Sequence, residues 1–242
     1  MTLEQIHRQT ATVEGFLTPN EGEVLYTLAR QCSGRGVIVE IGSWMGKSTI
    51  WLAHGSRAGA GQPVYAIDPH TGTAHPEPGA TFWTFDTFQA NLQQAGVADL
   101  VRPLVTTSAA AAQELDVPVE LLFIDGSHAY EDVLTDFVLW FPRLVEGGVV
   151  AFHDAMRWAK WPDVPRFVDR HVLPSRYVRD VQIVDSIVYA RRTVAATPAD
   201  LARNRAVLLW KQGYDAGSQL PLPRPLKKWG ERWLKRVLGG GC

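Results

Sequence analysis

Cysteine is scarce in this chain. Its 242 residues include two, Cys32 and Cys242, too few for a disulfide framework or a CxxC metal site. A reducing, cytoplasmic setting is the expectation that follows. Charge of one sign is lacking too: 24 basic against 25 acidic residues leave a net charge of −1, which gives no signal for a polyanionic partner. No basic groove with interleaved aromatics precedes the C-terminal tail, so no nucleic-acid acceptor is expected. Long apolar runs are missing as well. No window approaches the roughly 18 uninterrupted apolar residues of a spanning helix, and the opening M-T-L-E-Q-I-H-R-Q-T has no apolar stretch of signal-peptide kind. Neither segment is therefore expected. What the chain has is 46% hydrophobic and 20% charged residues, enough to bury one good core.

The most informative stretch is 37–49, V-I-V-E-I-G-S-W-M-G-K-S-T. A β-branched run ends in an acid, two glycines follow with three residues between them, and Ser48-Thr49 opens a helical pattern. Strand, Gly-rich turn and helix admit a ligand close to the backbone, with free N–H groups at the helix start. Two motifs fail here. A Walker A loop would need Gly where Ile41 stands, and G-x-G-x-x-G would need Gly where Trp44 stands. The pattern that remains is E-x-G-x-x-x-G. Glu40-Ile41-Gly42-Ser43-Trp44-Met45-Gly46-Lys47-Ser48 resembles the cofactor loop of class I S-adenosylmethionine-dependent methyltransferases.

Around this loop the chain alternates. Thr18-Pro19-Asn20-Glu21 is a helix start, with Thr18 as N-cap and Glu21 at the third position, and residues 1–36 read as helical cover. A second strand over 64–67 ends in Asp68, placed to accept hydrogen bonds from a ribose diol. Residues 69–82 form a broken loop of lid length. A helix is expected over 82–95, a third strand over 100–105 and a further helix from Thr107-Ser108. The run 121–124 ends in Asp125-Gly126, and 149–152 ends in His153-Asp154, as buried parallel strands with polar tips do. Gly147-Gly148 reads as the turn before that fifth strand. A helix over 164–172 and a hairpin over 178–184 and 186–190 complete the pattern.

D-G-S-H-x-Y-E followed by G-G-V-V-x-F-H-D is similar to one methyltransferase branch, the small O-methyltransferases of the macrocin O-methyltransferase or cephalosporin-hydroxylase-like group, over roughly 14–192. The resemblance implies a Rossmann-like, doubly wound, mostly parallel seven-stranded α/β sheet with a C-terminal antiparallel hairpin. Residues 1–192 would form the S-adenosylmethionine-binding domain and 193–242 a helical, Pro-interrupted basic extension. It also implies an acceptor hydroxyl on a sugar, glycan or small natural product, and a homo-oligomer. Cofactor contacts fall on Glu40, Gly42, Ser43, Gly46, Ser48, Asp68, Ser108 and Asp125. A solvated role is expected for Lys47.

Metal-dependent relatives hold Mg²⁺ on acids at the positions of Asp125 and of the fifth strand tip, and keep a base acid two residues after the first. Here His153 stands where an acid is usual, and Ser127 stands where the base is expected. Asp125 and Asp154 remain as the minimal Mg²⁺ site, since a hard ion wants oxygen ligands. His128 is the substitute base, because imidazole has an intrinsic pKa of about 6.5, and His153 is second choice. The missing acid leaves a second reading open, a catalytically silent S-adenosylmethionine-binding interaction module.

Arg157, Trp158, Lys160 and Trp161 could form an acceptor platform or plug the edge of a core. The extension adds a helix over 199–210, prolines 221, 223 and 225, and a basic end in which Leu226, Trp229, Trp233, Leu234, Val237 and Leu238 share one helix face. Six cations and one acid lie between 224 and 236. Such a helix suits peripheral contact with an anionic membrane, or docking on a partner subunit or on the domain.

Overall fold

The computed structural model describes residues 1–72, 82–156 and 161–218. Part of the expected lid loop, three of the four platform residues and the basic C-terminal helix with Cys242 lie outside them. Seven strands form one sheet: β1 (Val37–Ile41), β2 (Val64–Ile67), β3 (Val101–Leu104), β4 (Val119–Ile124), β5 (Leu144–Phe152), β6 (Val178–Val184) and β7 (Ile187–Arg192). Their order is β3-β2-β1-β4-β5-β7-β6. The first five are mutually parallel and β7 runs antiparallel to β5 and β6, as the resemblance implies.

The helices are α1 (Leu3–Thr10), α2 (Pro19–Arg30), α3 (Lys47–Ala58), α4 (Phe85–Ala95), α5 (Ser108–Glu114), α6 (Tyr130–Trp140), α7 (Asp163–Phe167) and α8 (Pro198–Ser218). Period-two alternation in the strands explains why both faces of the sheet are covered. In β4, Leu121 and Phe123 join one core cluster, with Ile38, Trp51 and Phe88; Leu122 and Ile124 join the other, with Val39, Trp140 and Phe167. Trp51 and Trp140 are each fully buried, a contribution of about 5 kcal/mol apiece.

Three details differ from the sequence reading. β5 begins at Leu144, because Gly147-Gly148 forms an excursion within the strand: Val119 pairs with Leu144 but Leu121 with Val149. The helix over 164–172 is two pieces, α7 and one π-type turn over Val168–Val172. The helix after residue 193 is longer than expected and docks on the sheet. Asn204 Nδ2 donates to the Val178 carbonyl at 2.9 Å, Lys211 Nζ lies 2.7 Å from Asp169 Oδ1, and Val207 enters the core. No helix among the described residues is long and apolar enough to cross a membrane.

Candidate active site

Every parallel strand that carries a predicted site residue delivers it at its C-terminal end, so the residues gather on one edge of the sheet. At the centre β1 and β4 press together. A Cβ on Gly42, whose φ is +85°, would lie 2.2 Å from the Asp125 carbonyl oxygen. Only glycine fits there. Asp68, at the tip of β2, closes the loop from the other side: Oδ2 accepts from the Ser43 and Trp44 amides at 2.9 and 2.8 Å, and Oδ1 from the His70 amide at 2.7 Å.

This loop carries strain and unmet polarity. Trp44, His70 and Asp154 adopt left-handed φ of 47°, 56° and 52° just beyond β1, β2 and β5, at a cost on the order of 1–3 kcal/mol each. Among the described residues, Ser43 Oγ, Trp44 Nε1 and His70 Nε2 are buried with no hydrogen-bond partner. Unmade hydrogen bonds of this kind are expensive, and three of them in the loops after β1 and β2 fit a polar ligand such as the nucleoside part of S-adenosylmethionine. Trp44 also stacks on Phe82, with centroids 5.0 Å apart.

Glu40 lies deeper than a ligand contact. It is completely buried, and Ser48 Oγ and Thr49 Oγ1 donate to its two oxygens at 2.5 Å each. Its carboxyl is raised to about 8 in all: burial drives it up, the two hydroxyls offset part of the rise, and the Asp125 and Asp68 charges add to it. Glu40 and Ser48 thus pin the first turn of α3 to β1 and shape the loop from behind. Ser108 is likewise turned inward, its hydroxyl donating to Asp136, while Thr107 caps α5. Lys47 is half-buried rather than solvated, and its ammonium donates to the Gly15 carbonyl at 3.2 Å.

The second cluster is the rim formed by Asp125, His128, His153 and Asp154, which the structure brings together. His128 Nε2 lies 3.0 Å from Asp154 Oδ2, and its ring stacks on Trp161 at 4.7 Å between centroids. Trp161, the one described member of the expected platform, is therefore packed on the imidazole. Ser127, at the missing base position, donates instead to Asp132 at 2.6 Å. Burial pushes the Asp154 carboxyl up, but His128 and His153 hold it well below the usual carboxylate range.

His153 is of a different kind. Its ring is 5% exposed; Nδ1 lies 3.0 Å from Asp125 Oδ1 and 3.5 Å from Asp154 Oδ2, and Nε2 lies 3.4 Å from Glu21 Oε2. Burial alone would favour loss of its proton, but Asp125 first, then Asp154 and Glu21, hold its pKa far above the ordinary imidazole value. A ring that keeps its proton this firmly is unsuited to accept another, which argues against His153 as base. Glu21 is the residue that sequence reasoning missed. It makes the expected capping box with Thr18, yet it is 1% exposed and also accepts from the Ser186 amide and hydroxyl at 2.8 and 2.5 Å.

The ligand atoms of Asp125, His128 and Asp154 lie within 4.8 Å of one another, so a cation could be imagined there. The donor chemistry fits magnesium poorly. Mg²⁺ demands octahedral oxygen ligation, whereas Asp125 Oδ1 and Asp154 Oδ2 both face the Nδ1 of His153, and Asp154 Oδ2 also faces His128.

The sheet order with its antiparallel hairpin, and the loop at the tip of β1, give the fold found in class I S-adenosylmethionine-dependent methyltransferases. Residues 39–155 match a family model described as a methyltransferase domain. Among solved structures, the chain resembles TomG, an O-methyltransferase of Streptomyces achromogenes involved in tomaymycin synthesis and solved with S-adenosylmethionine. The TM-score is 0.55 at 22% identity, covering 79% of this chain and 87% of TomG. It also resembles a Bacillus cereus O-methyltransferase solved with S-adenosylhomocysteine, with TM-score 0.56, 20% identity and coverage of 78% and 90%. An rRNA methylase of Streptococcus thermophilus aligns as well, with TM-score 0.51, 14% identity and coverage of 74% and 99%. Likeness at these identities shows the fold. A curated relative, the uncharacterized protein y4gI of Sinorhizobium fredii, is 32% identical over 122 residues, and the aligned segment spans 48% of this chain but 13% of that protein.

Proposed function

We propose that this protein transfers the methyl group of S-adenosylmethionine to a hydroxyl of a sugar, glycan or small natural-product acceptor, with His128 as the general base. The observation that carries this reading is the His128–Asp154 pair. With Nε2–H donated to Asp154 at 3.0 Å, Nδ1 is the nitrogen left to accept a proton. The acceptor class draws support from the likeness to TomG, an O-methyltransferase involved in tomaymycin synthesis.

When bound, S-adenosylmethionine supplies a methyl already activated on sulfonium sulfur. The loop 42–46 and Asp68 would hold it, with Ser43, Trp44 and His70 offering the polar atoms that lack partners. Asp125, 23% exposed, borders both the loop and the rim and can orient an acceptor hydroxyl by accepting a hydrogen bond. His128 Nδ1 would take the hydroxyl proton as the acceptor oxygen receives the methyl group, leaving the imidazole as imidazolium. Asp154 fixes the ring and stabilises the imidazolium that results. Trp161 holds the ring plane. The direct test is methyl transfer from labelled S-adenosylmethionine to a panel of hydroxyl acceptors. The reading predicts a methyl ether product that His128→Ala suppresses, and transfer to nitrogen or nucleic acid would contradict it.

A further inference from the structure

We infer that His153 stands in this protein where metal-assisted transferases of the same fold place a divalent cation, so that methyl transfer here needs no metal ion. The inference rests on the reading above for the reaction, and on geometry for the site. One buried ring spans three carboxylates from three elements: Asp125 after β4 at 3.0 Å, Asp154 after β5 at 3.5 Å, and Glu21 in the first turn of α2 at 3.4 Å. Its Nδ1 faces both rim acids, the position an ion would need in order to bridge them. Phe123 meets the ring nearly edge-on, with centroids 6.4 Å apart.

Glu21 completes the arrangement from the interior side. Its carboxylate is almost fully buried, and its other partners are Thr18 N and the Ser186 amide and hydroxyl, none of which is a cation. A buried carboxylate without a counter-charge is strongly destabilising, and among the described residues His153 is the cation within reach. Glu21 therefore acts through His153 as a positioning residue: it holds the imidazolium from behind while the front nitrogen draws Asp125 and Asp154 together. The ring supplies one positive charge and fixed N–H directions, where a hydrated ion would supply two charges and exchangeable waters. A cation placed between the two acids would have to displace the ring.

The test is Mn²⁺ binding, read by the loss of the free-ion electron paramagnetic resonance signal, on the full-length protein. Wild type is expected to leave the free Mn²⁺ signal unchanged. His153→Asp, which removes the ring and restores a third carboxylate at the rim, is expected to deplete the signal, and adding Asp125→Asn is expected to return it. His153→Asn, with a smaller oxygen-bearing side chain, is read by the same criteria where the aspartate variant does not fold. Mn²⁺ depletion by wild type that Asp125→Asn abolishes would overturn the inference. So would folded His153→Asp and His153→Asn variants that both leave the signal unchanged. Calorimetric binding of S-adenosylmethionine to the same preparations tests the parent reading separately, because no step of the Mn²⁺ experiment uses the cofactor or an acceptor.

Discussion

Glu21 and His153, 132 positions apart, face one another across 3.4 Å in the interior. This contact ties the first turn of α2 to the tip of β5 and fixes the rear of the rim formed by Asp125, His128, His153 and Asp154. Glu21→Gln keeps the shape and removes the charge, leaving the imidazolium short of one counter-ion. A loss of about 3 kcal/mol is expected, measured from urea midpoints at neutral pH.

The same pair sets an acid limit on stability. Burial opposes ionisation of Glu21, but His153, Ser186 and the Thr18 amide lower its pKa from 4.5 to about 2. The folded value is depressed, so the stabilisation is present above pH 4.5 and is lost as pH falls towards 2. Melting temperature followed from pH 5 downward should fall less steeply in Glu21→Gln than in wild type.

Glu40 has the opposite sign. Its folded pKa, about 8, lies above the ordinary value of 4.5, so the unfolded chain releases this proton first and stability falls as pH rises from 4.5 to 8. Glu40→Gln is neutral throughout, and its amide oxygen can accept from Ser48 or Thr49. The variant should therefore show a flatter melting temperature between pH 5 and 8, the gap to wild type closing or reversing towards pH 8.

Gly42→Ala drives a methyl group to within 2.2 Å of the Asp125 carbonyl on a backbone at φ +85°. Gly96 also has positive φ, +68°, but nothing lies within 4 Å of an added Cβ. The Gly96 change should cost roughly 1–2 kcal/mol, the strain of left-handed backbone alone. The Gly42 change should cost several times more and should abolish cofactor binding, both read by denaturation and calorimetry.

His128→Ala should lower the rate of methyl transfer by about 10²–10⁴-fold while leaving affinity for S-adenosylmethionine near that of wild type. Asp154→Asn should lower the rate too, because it removes the charge that steadies the imidazolium. Single-turnover kinetics with labelled cofactor separate the chemical step from binding.

The strands and their polar tips were legible in the sequence for a simple reason. Buried parallel strands are continuous apolar runs, and each of these runs ends abruptly in Glu40-Ile41-Gly42, Asp68, Asp125 or His153-Asp154. The rear of the site was not legible. Glu21 satisfies the capping-box pattern so completely that local rules leave nothing over to explain, and its second role arises from a contact 132 residues away. The resemblance implies cofactor contacts for Ser48 and Ser108, whereas their hydroxyls turn to Glu40 and Asp136, because buried acids need donors. The excursion at Gly147-Gly148 looked like a turn because two adjacent glycines mark turns and bulges alike.

The central claim is that the loop between β1 and α3 binds S-adenosylmethionine at the edge where Asp68 and Asp125 emerge. Isothermal calorimetry of the full-length protein with S-adenosylmethionine and with S-adenosylhomocysteine tests it most directly. The account predicts saturable one-to-one binding of both that Gly42→Ala removes; absence of binding to the folded wild type, or binding that Gly42→Ala leaves intact, would contradict it.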